Sequence, residues 1–219
     1  MSPAPTVSTD QVAASLSPHL AVYRHKRPGY QTVMLNSLLS LWRGPHRRLL
    51  DIGGGTGVIG QCIHDLFPVD SVTAIDVVDR FCPGLTIEVA TYDGARLPYA
   101  DGSFDAATLN NVIHHIPVPV RPALFREIAR VVDGPLYIKD HEAAGRLDHA
   151  RLSALDFIGN IPFGGMVRAD YLTAVDWRAL AAASGYRIAE TGRASRYRHG
   201  PYAWLFPNRL EITMRWERG

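Results

Sequence analysis

The chain has 219 residues, which is enough for one or at most two domains with a sizeable core. Hydrophobic residues make up 47% and charged residues 20%, and the formal net charge is +2. This small positive charge gives no sign of nucleic-acid or membrane-surface binding, and no apolar run approaches the ~18 residues that a membrane-spanning helix needs.

The first 45 residues precede the regular pattern of a domain. Residues 1–10 are polar and contain prolines, without the apolar stretch of a signal peptide, so we expect a loose tail. Residues 11–45 carry apolar side chains at helical spacing and predict a helical extension. We therefore expect residues 1–45 to form a tail and a helical lid.

Strands and helices alternate through the rest of the chain. An apolar run at 49–52 ends in glycines, and a helical face then continues to Pro68. Six further strands are predicted at 71–77, 85–92, 104–111, 135–139, 186–194 and 210–216. A helix is predicted at 174–184, where Thr173 and Asp176 make a capping box and Gly185 follows the last turn.

This alternation predicts a doubly wound α/β domain with a mostly parallel sheet, in which ligands bind beyond the carboxyl ends of the strands. Residues 142–172 interrupt the pattern after the fifth of these strands with a partly apolar insertion. Because additions at the ligand edge of a sheet usually form substrate walls, we expect this insertion to be a substrate cap.

The glycine-rich turn after the first strand is the most informative stretch. Glycines at 53, 55 and 57 lack a Cβ atom, so the backbone can adopt positive φ and approach a ligand closely. The helix that starts near Thr56 presents unpaired N–H groups at the same place. A nucleotide-like ligand is therefore expected. The segment 55–60 also satisfies G-x-G-x-x-G, which leaves an NAD-dependent oxidoreductase open as an alternative.

Acidic residues recur at the ends of the neighbouring strands. Asp51 precedes the glycines, at a position that is usually apolar in a dinucleotide-binding strand. Asp76 closes the second strand, where a carboxylate is suited to the two hydroxyls of a ribose. Asp93 and Gly94 follow the third strand, where a carboxylate can accept from an exocyclic amine.

In order and spacing, residues 46–140 resemble the class I S-adenosylmethionine-dependent methyltransferases, and specifically their small-molecule branch. The resemblance rests on Asp51-Ile52-Gly53-Gly54-Gly55-Thr56-Gly57, Asp76, Asp93, Leu97-Pro98-Tyr99, Phe104-Asp105 and Asn110-Asn111-Val112-Ile113-His114-His115-Ile116. It implies a seven-stranded sheet whose last strand is antiparallel, and a cofactor-binding domain at 46–219. A departure is the short segment 78–84, where the family has a longer helix.

The resemblance also implies that S-adenosylmethionine is the cofactor, with its methionine part along the glycine turn. The implied cofactor-binding residues are Asp51, Gly53, Gly55, Gly57, Asp76, Asp93, Gly94, Asn110 and His115.

Histidines near two strand ends are candidates for a base, because methyl transfer to a hydroxyl or ammonium group requires removal of a proton. His114 and His141 are these candidates, and a structural hydrogen-bonding role is an equal alternative for each. Asp140 could orient His141, bind a cationic substrate or cap the helix that follows. The predicted substrate residues are Tyr23, Arg24, Asp140, Asn160 and Phe163.

The resulting hypothesis is an enzyme that methylates an O, N or C atom of a small-molecule metabolite in a biosynthetic pathway. Alternatives are an enzyme that uses S-adenosylmethionine without methylating, the oxidoreductase above, and a non-catalytic binding protein.

No metal site is predicted, because no H-E-x-x-H, C-x-x-C or carboxylate cluster accompanies the nine histidines. No nucleic-acid or membrane partner is expected, and the oligomeric state is left open. Cys62 and Cys82 lie in apolar surroundings and favour a reduced, cytoplasmic setting.

Overall fold

Seven strands form one sheet at the centre of the computed structural model. The structure describes residues 6–160, 169–193 and 197–219, with residues 158–160 described by their backbone alone. The strands are β1 (His46–Ile52), β2 (Val69–Asp76), β3 (Glu88–Thr91), β4 (Ala106–Asn110), β5 (Leu136–His141), β6 (Tyr186–Gly192) and β7 (Glu211–Arg218).

Helices precede the sheet, connect its strands and cover both of its faces. They are α1 (Thr9–Leu16), α2 (Gly29–Leu41), α3 (Val58–Leu66), α4 (Arg121–Val131), α5 (Arg146–Asn160), α6 (Ala174–Ala183) and α7 (Gly200–Leu205). Within the described ranges, each helix is too short or too polar to cross a bilayer.

The strand order is β3-β2-β1-β4-β5-β7-β6. Strands β1 to β5 pair in parallel, whereas β7 is antiparallel to both β5 and β6. The predicted seven-stranded sheet with an antiparallel last strand is therefore confirmed. The usual dinucleotide-binding order, 3-2-1-4-5-6, has no antiparallel strand between its fifth and sixth members.

Successive side chains of β1 enter two different cores, as the alternation of a strand requires. Leu50 packs into a core with α4 and α6, where Phe125 and Trp177 are buried. Leu49 faces the opposite core, which includes Leu35 of α2 and parts of α1 and α3. The predicted helical N-terminal extension is thus present as α1 and α2, and it shares a core with the sheet. Its closure over a ligand stays a prediction.

The third strand is shorter than the sequence pattern predicts, beginning at Glu88 instead of residue 85. The side chains of Leu85 and Ile87 point instead toward the glycine turn, because Cβ atoms built on Gly57 and Gly60 would lie 2.5 Å and 3.1 Å from them. Residues 77–87, all described, contain no helix, as the short connection predicted.

The insertion after β5 contains helix α5. Asp148 joins its first turn to the segment before β7. The Asp148 carboxylate accepts two hydrogen bonds from Arg209, at 2.7 Å and 2.8 Å. Leu152 of α5 is buried against Tyr171 and Leu210 in a small third core. Helix α5 therefore stands beside the carboxyl end of β5, where the sequence placed a substrate cap.

Candidate functional site

The glycine turn has one closed side and one open side. Gly53 has a φ of +70°, and a Cβ atom there would lie 2.5 Å from a methyl carbon of Val112, in the segment after β4. Gly55 has a φ of +58°, and a Cβ atom there would meet nothing within 4 Å. A side chain is excluded at Gly53 by contact, whereas at Gly55 the bare backbone faces open space that a ligand can occupy.

Asp51 lies beneath this turn instead of within the open space. It is buried, and its Oδ1 accepts hydrogen bonds from Thr108 Oγ1 at 2.7 Å and from Asn110 Nδ2 at 3.2 Å. Burial raises the pKa of the Asp51 carboxyl to about 6, although the two hydrogen bonds oppose this shift. Asp51 thus joins β1 to β4 and supports the turn from below.

Asp76 joins the end of β2 to the open side of the turn. Its Oδ2 accepts from the Gly55 N–H at 2.8 Å and its Oδ1 from the Val78 N–H at 3.1 Å. Beside this carboxylate, the apolar side chains of Val77 and Val78 are about half exposed. An exposed apolar pair next to a fixed carboxylate suits a ligand with a flat apolar ring and a polar sugar.

The turn after β3 brings a second carboxylate to the same edge. Asp93 Oδ1 accepts hydrogen bonds from the backbone N–H groups of Arg96 and Ala95, which lower the pKa of this exposed carboxyl. A Cβ atom on Gly94, whose φ is +81°, would lie 3.3 Å from Val77 Cγ1. The ends of β1, β2 and β3 therefore meet around one crevice.

A cluster of histidines and carboxylates occupies the neighbouring part of the sheet edge. His114 is 1% exposed; its Nδ1 is hydrogen-bonded to Asp140, and its Nε2 lies 3.2 Å from Asp156 Oδ2 of α5. Tyr171 stacks on the His114 ring and donates a hydrogen bond of 2.7 Å to Asp156. Burial alone would lower the pKa of His114, but the Asp140 and Asp156 carboxylates raise it to about 9.

Glu211, at the start of β7, is the negatively charged centre of a second buried cluster of side chains. Its carboxylate pairs with Lys139 and Arg198, and His141 Nε2 lies 3.3 Å from it. Burial would raise the pKa of Glu211, but these partners, Lys139 foremost, hold it well below its usual value. The carboxylate is therefore charged, with one lysine, one arginine and one histidine around it.

The N terminus of α2 reaches the same region through Tyr30. The Tyr30 hydroxyl accepts hydrogen bonds from Lys139 Nζ at 2.6 Å and Asn111 Nδ2 at 3.0 Å, and its ring lies 5.7 Å from that of Tyr197. Asn111 has a φ of +57°, in the left-handed region that asparagine tolerates better than most residues. The chain turns there from β4 into the segment that carries His114.

Comparison with known proteins finds a family that is similar to this part of the chain. Residues 50–134 match the family described as a methyltransferase domain. They span the glycine turn, the three acidic residues and the paired histidines. Residues 50–134 are therefore similar to a class I S-adenosylmethionine-dependent methyltransferase domain.

One curated relative is similar to more of the chain than the domain alone. Malonyl-[acyl-carrier protein] O-methyltransferase of Geobacter sulfurreducens is 28% identical over 153 residues, which are 65% of this chain. The match spans 57% of the length of that relative.

Solved structures share the fold of the methyltransferase domain and its extensions. A chain of a Haloferax volcanii complex between the Trm112 methyltransferase activator and a methyltransferase superposes with a TM-score of 0.65 at 14% identity, covering 97% of this chain and 99% of that one. Magnesium protoporphyrin IX methyltransferase of Synechocystis, solved with bound SAH, superposes with a TM-score of 0.59 at 20% identity. The superposition covers 96% of this chain and 94% of that one. The cofactor of this domain family is S-adenosylmethionine.

The fold brings the predicted cofactor residues to one edge of the sheet, but some of them are exposed there and others are buried. Gly55 and the exposed Gly94 border the open crevice, whereas Asp76 is only 5% exposed and Asp51 is covered by the turn. Asn110 donates to Asp51, so it too supports the turn. Contacts of these residues, and of Gly53, Gly57, Asp93 and His115, with the cofactor stay predictions.

The two predicted bases are both buried. His114 lies between two carboxylates, and His141 is 5% exposed beside Glu211. A base must meet the proton that it removes, and this burial argues against direct contact between either ring and a substrate. Asp140 has no exposed surface, and its Oδ2 and Oδ1 accept from the N–H groups of Ile113 and His141. Its contacts therefore argue against the predicted contact with a substrate.

The other predicted substrate residues have separate surroundings. Tyr23 is half-buried and accepts a hydrogen bond of 2.6 Å from Gln31, so it packs within the N-terminal extension. Arg24 is exposed. Asn160 ends α5, but its side chain lies outside the described atoms, as does all of Phe163. The predicted contacts of these four residues with a substrate stay predictions.

Several residues at this edge were missed in the sequence, namely Tyr30, Val77, Val78, Lys139 and Glu211. A lysine within the apolar run of β5 was the available signal, because a buried lysine requires a partner. Glu211 gave no such signal, since it stands at a strand end like many exposed glutamates. Only the fold places it beside Lys139.

Proposed function

We propose that this protein transfers the methyl group of S-adenosylmethionine to an O, N or C atom of a small-molecule metabolite. The observation that carries the proposal is the bare backbone at Gly55, which faces open space while its N–H donates to the Asp76 carboxylate. The match to the methyltransferase domain and the similarity to an O-methyltransferase support it.

In this proposal the cofactor lies along the crevice. The Asp76 carboxylate binds the ribose hydroxyls, and Val77 and Val78 contact the adenine ring, with Asp93 at its polar edge. Its methionine part follows the glycine turn toward Asn110 and the segment after β4. Each part of the ligand then meets a group of matching polarity.

The acceptor is placed between the methyl group and the cap helix α5. Methyl transfer is an in-line displacement, in which the enzyme mainly holds the two reacting atoms ~3 Å apart and removes water. His114 and His141 serve this end as positioning residues, because they hold Asp156 and Glu211 at fixed places beneath the acceptor site.

A small acceptor agrees with the absence of a strong basic charge on the chain. The name of one similar protein specifies a malonyl group on a carrier protein, and the name of another specifies a magnesium porphyrin. Because these acceptors differ widely, the proposal names the acceptor only as a small molecule. We place the protein in the cytoplasm, since Cys62 and Cys82 are free thiols and burial raises the pKa of Cys62 to about 12.

Isothermal titration with S-adenosylmethionine and with NAD tests the cofactor. We expect binding of the former alone, and expect Asp76→Ala to weaken it by about 1–3 kcal/mol, because a charge-assisted hydrogen bond to the ribose is lost. Asp70→Ala, at the exposed start of the same strand, is the matched control and should leave affinity unchanged. Equal affinity of the Asp76→Ala variant and the wild type would contradict the ribose assignment.

Incubation with a metabolite extract and methyl-labelled cofactor tests the transfer itself. We expect label in the small-molecule fraction. Cofactor binding without transfer of label to any fraction would instead favour a non-catalytic protein.

A further inference from the structure

Three metal-binding atoms converge at the boundary between the histidine cluster and α5. They are one ring nitrogen each of His114 and His115 and a carboxylate oxygen of Asp156, and all lie within 4.8 Å of one another. Asp156 Oδ2 lies 3.2 Å from the His114 nitrogen and 3.7 Å from the His115 nitrogen. Ligands at ~2.0–2.2 Å from one ion lie roughly 3.0–3.5 Å apart, so both nitrogen–oxygen distances are close to those around a bound ion.

The surroundings of His114 prepare its Nε2 atom for an ion. Its other ring nitrogen, Nδ1, is hydrogen-bonded to the buried Asp140 carboxylate, the usual outer partner of a metal-binding histidine. Its Nε2 atom is buried 3.2 Å from Asp156 Oδ2, so an ion bound between these two atoms would take the place of the Nε2 proton. The Asp156 carboxylate is likewise oriented, by the Tyr171 hydroxyl at 2.7 Å.

A second combination in the same cluster fits an ion less well. His114, Asp140 and His141 also offer three atoms, but all three residues are buried. Asp140 already accepts hydrogen bonds from two backbone N–H groups, which leaves little room for further ligands. The side chains of His115 and Asp156 are 12% and 13% exposed, so a metal ion there could keep positions open for an outside ligand.

We propose that His114, His115 and Asp156 form a binding site for a divalent transition-metal ion, with Asp140 and Tyr171 as its outer shell. Two imidazoles and one carboxylate suit Fe²⁺, Mn²⁺, Co²⁺ or Zn²⁺ and leave further positions for oxygen ligands. The segment 110–115 connects this site to the cofactor crevice. An oxygen-bearing acceptor held by the ion would therefore lie near the methyl group, a use that rests on the proposed function, whereas metal binding does not.

Titration with Co²⁺ tests the site, because its visible absorption reports coordination directly. The 219-residue protein without a histidine tag is stripped with a chelator and titrated. We expect one Co²⁺ per chain, and expect affinity to fall at least tenfold in His115→Ala and in Asp156→Asn. In Asp140→Asn the Co²⁺ affinity should fall by about 10–100-fold, as is typical when an outer-shell residue is replaced.

His64→Ala is the matched control, because His64 lies on α3 beside Asp65, outside the cluster. It should bind Co²⁺ like the wild type. Circular dichroism and titration with S-adenosylmethionine show for each variant whether the fold and the cofactor site persist. Wild-type protein that binds S-adenosylmethionine but no stoichiometric Co²⁺ would overturn the metal site alone. Retention of wild-type Co²⁺ affinity in both His115→Ala and Asp156→Asn would do the same.

Discussion

At the scale of single residues, Asp51 shows how a buried carboxylate can support a turn from below. It holds β1 and β4 together through Thr108 and Asn110, and it is almost wholly buried. The resemblance to a family singled out this acid in the sequence, and its contact with the cofactor stays a prediction. Which way the side chain points could not be predicted, since that depends on the neighbouring strand β4.

We predict that Asp51 lowers the stability of the protein as the pH rises. Its pKa is about 6 in the folded state against 3.8 for an ordinary aspartate, so between these values the folded state binds more protons. Stability is therefore lost as the pH rises through this range, by roughly 3 kcal/mol. Asp51→Asn cannot ionise, so urea unfolding should show its stability rising relative to the wild type from about pH 4 to about pH 7.

Asp70→Asn, at an exposed position of β2, is the comparison for removing a carboxylate outside the core. A difference between Asp51→Asn and wild type that stays constant with pH would show that the carboxyl is not perturbed.

Histidine pairs mark the limit of prediction at this scale. His114 and His115 are adjacent in the chain, and the sequence does not say which ring is buried. The structure buries His114 because Asp140, Asp156 and Tyr171 surround it, and these come from β5, α5 and the segment after α5. Such contacts between distant segments leave no local pattern.

At the scale of helices and strands, local signals predicted much of the fold. The capping box of α6 is present, with the Thr173 hydroxyl and the Asp176 N–H 3.2 Å apart, because it depends only on residues within one turn. The shortening of β3 was not predicted, because the side chains of Leu85 and Ile87 pack near Gly57 and Gly60 and not in the strand. The position of α5 depends on Asp148 and Arg209, which are far apart in the chain.

We predict that helix α2 is part of the folding core and not a separate flap. Leu35 has no exposed surface and packs with residues of β1 and α3, so Leu35→Ala should lower the free energy of unfolding by about 2–5 kcal/mol. Ser40→Ala, on the exposed side of the same helix, should change it little. A Leu35→Ala variant as stable as Ser40→Ala would mean that the helix folds apart from the sheet.

At the scale of the whole molecule, the sheet separates two cores that share its strands. One lies with α4 and α6, and the other with α1, α2 and α3. Because strands such as β1 contribute to both, we expect neither layer to unfold alone. The alternation of elements in the sequence predicted this architecture, since strand-helix-strand units leave few other arrangements.

We predict one cooperative thermal transition that the cofactor shifts upward. S-adenosylmethionine at about 100 times its Kd should add about 2.7 kcal/mol of stability, or roughly 5–10 °C in Tm for a chain of this size. NAD at equal concentration should leave Tm unchanged. Scanning calorimetry measures both effects. Two separate transitions, of which the cofactor moves only one, would show that the layers are independent.

The hydroxyl of Tyr30 has a consequence for any attempt to redesign this edge of the sheet. One phenol ring meets Asn111, Lys139 and Tyr197, which belong to three segments far apart in sequence. Effects of substitutions in such a network do not add. A library that varies these four positions one at a time would therefore discard combinations whose members fail singly and succeed together, so productive searches must vary them jointly.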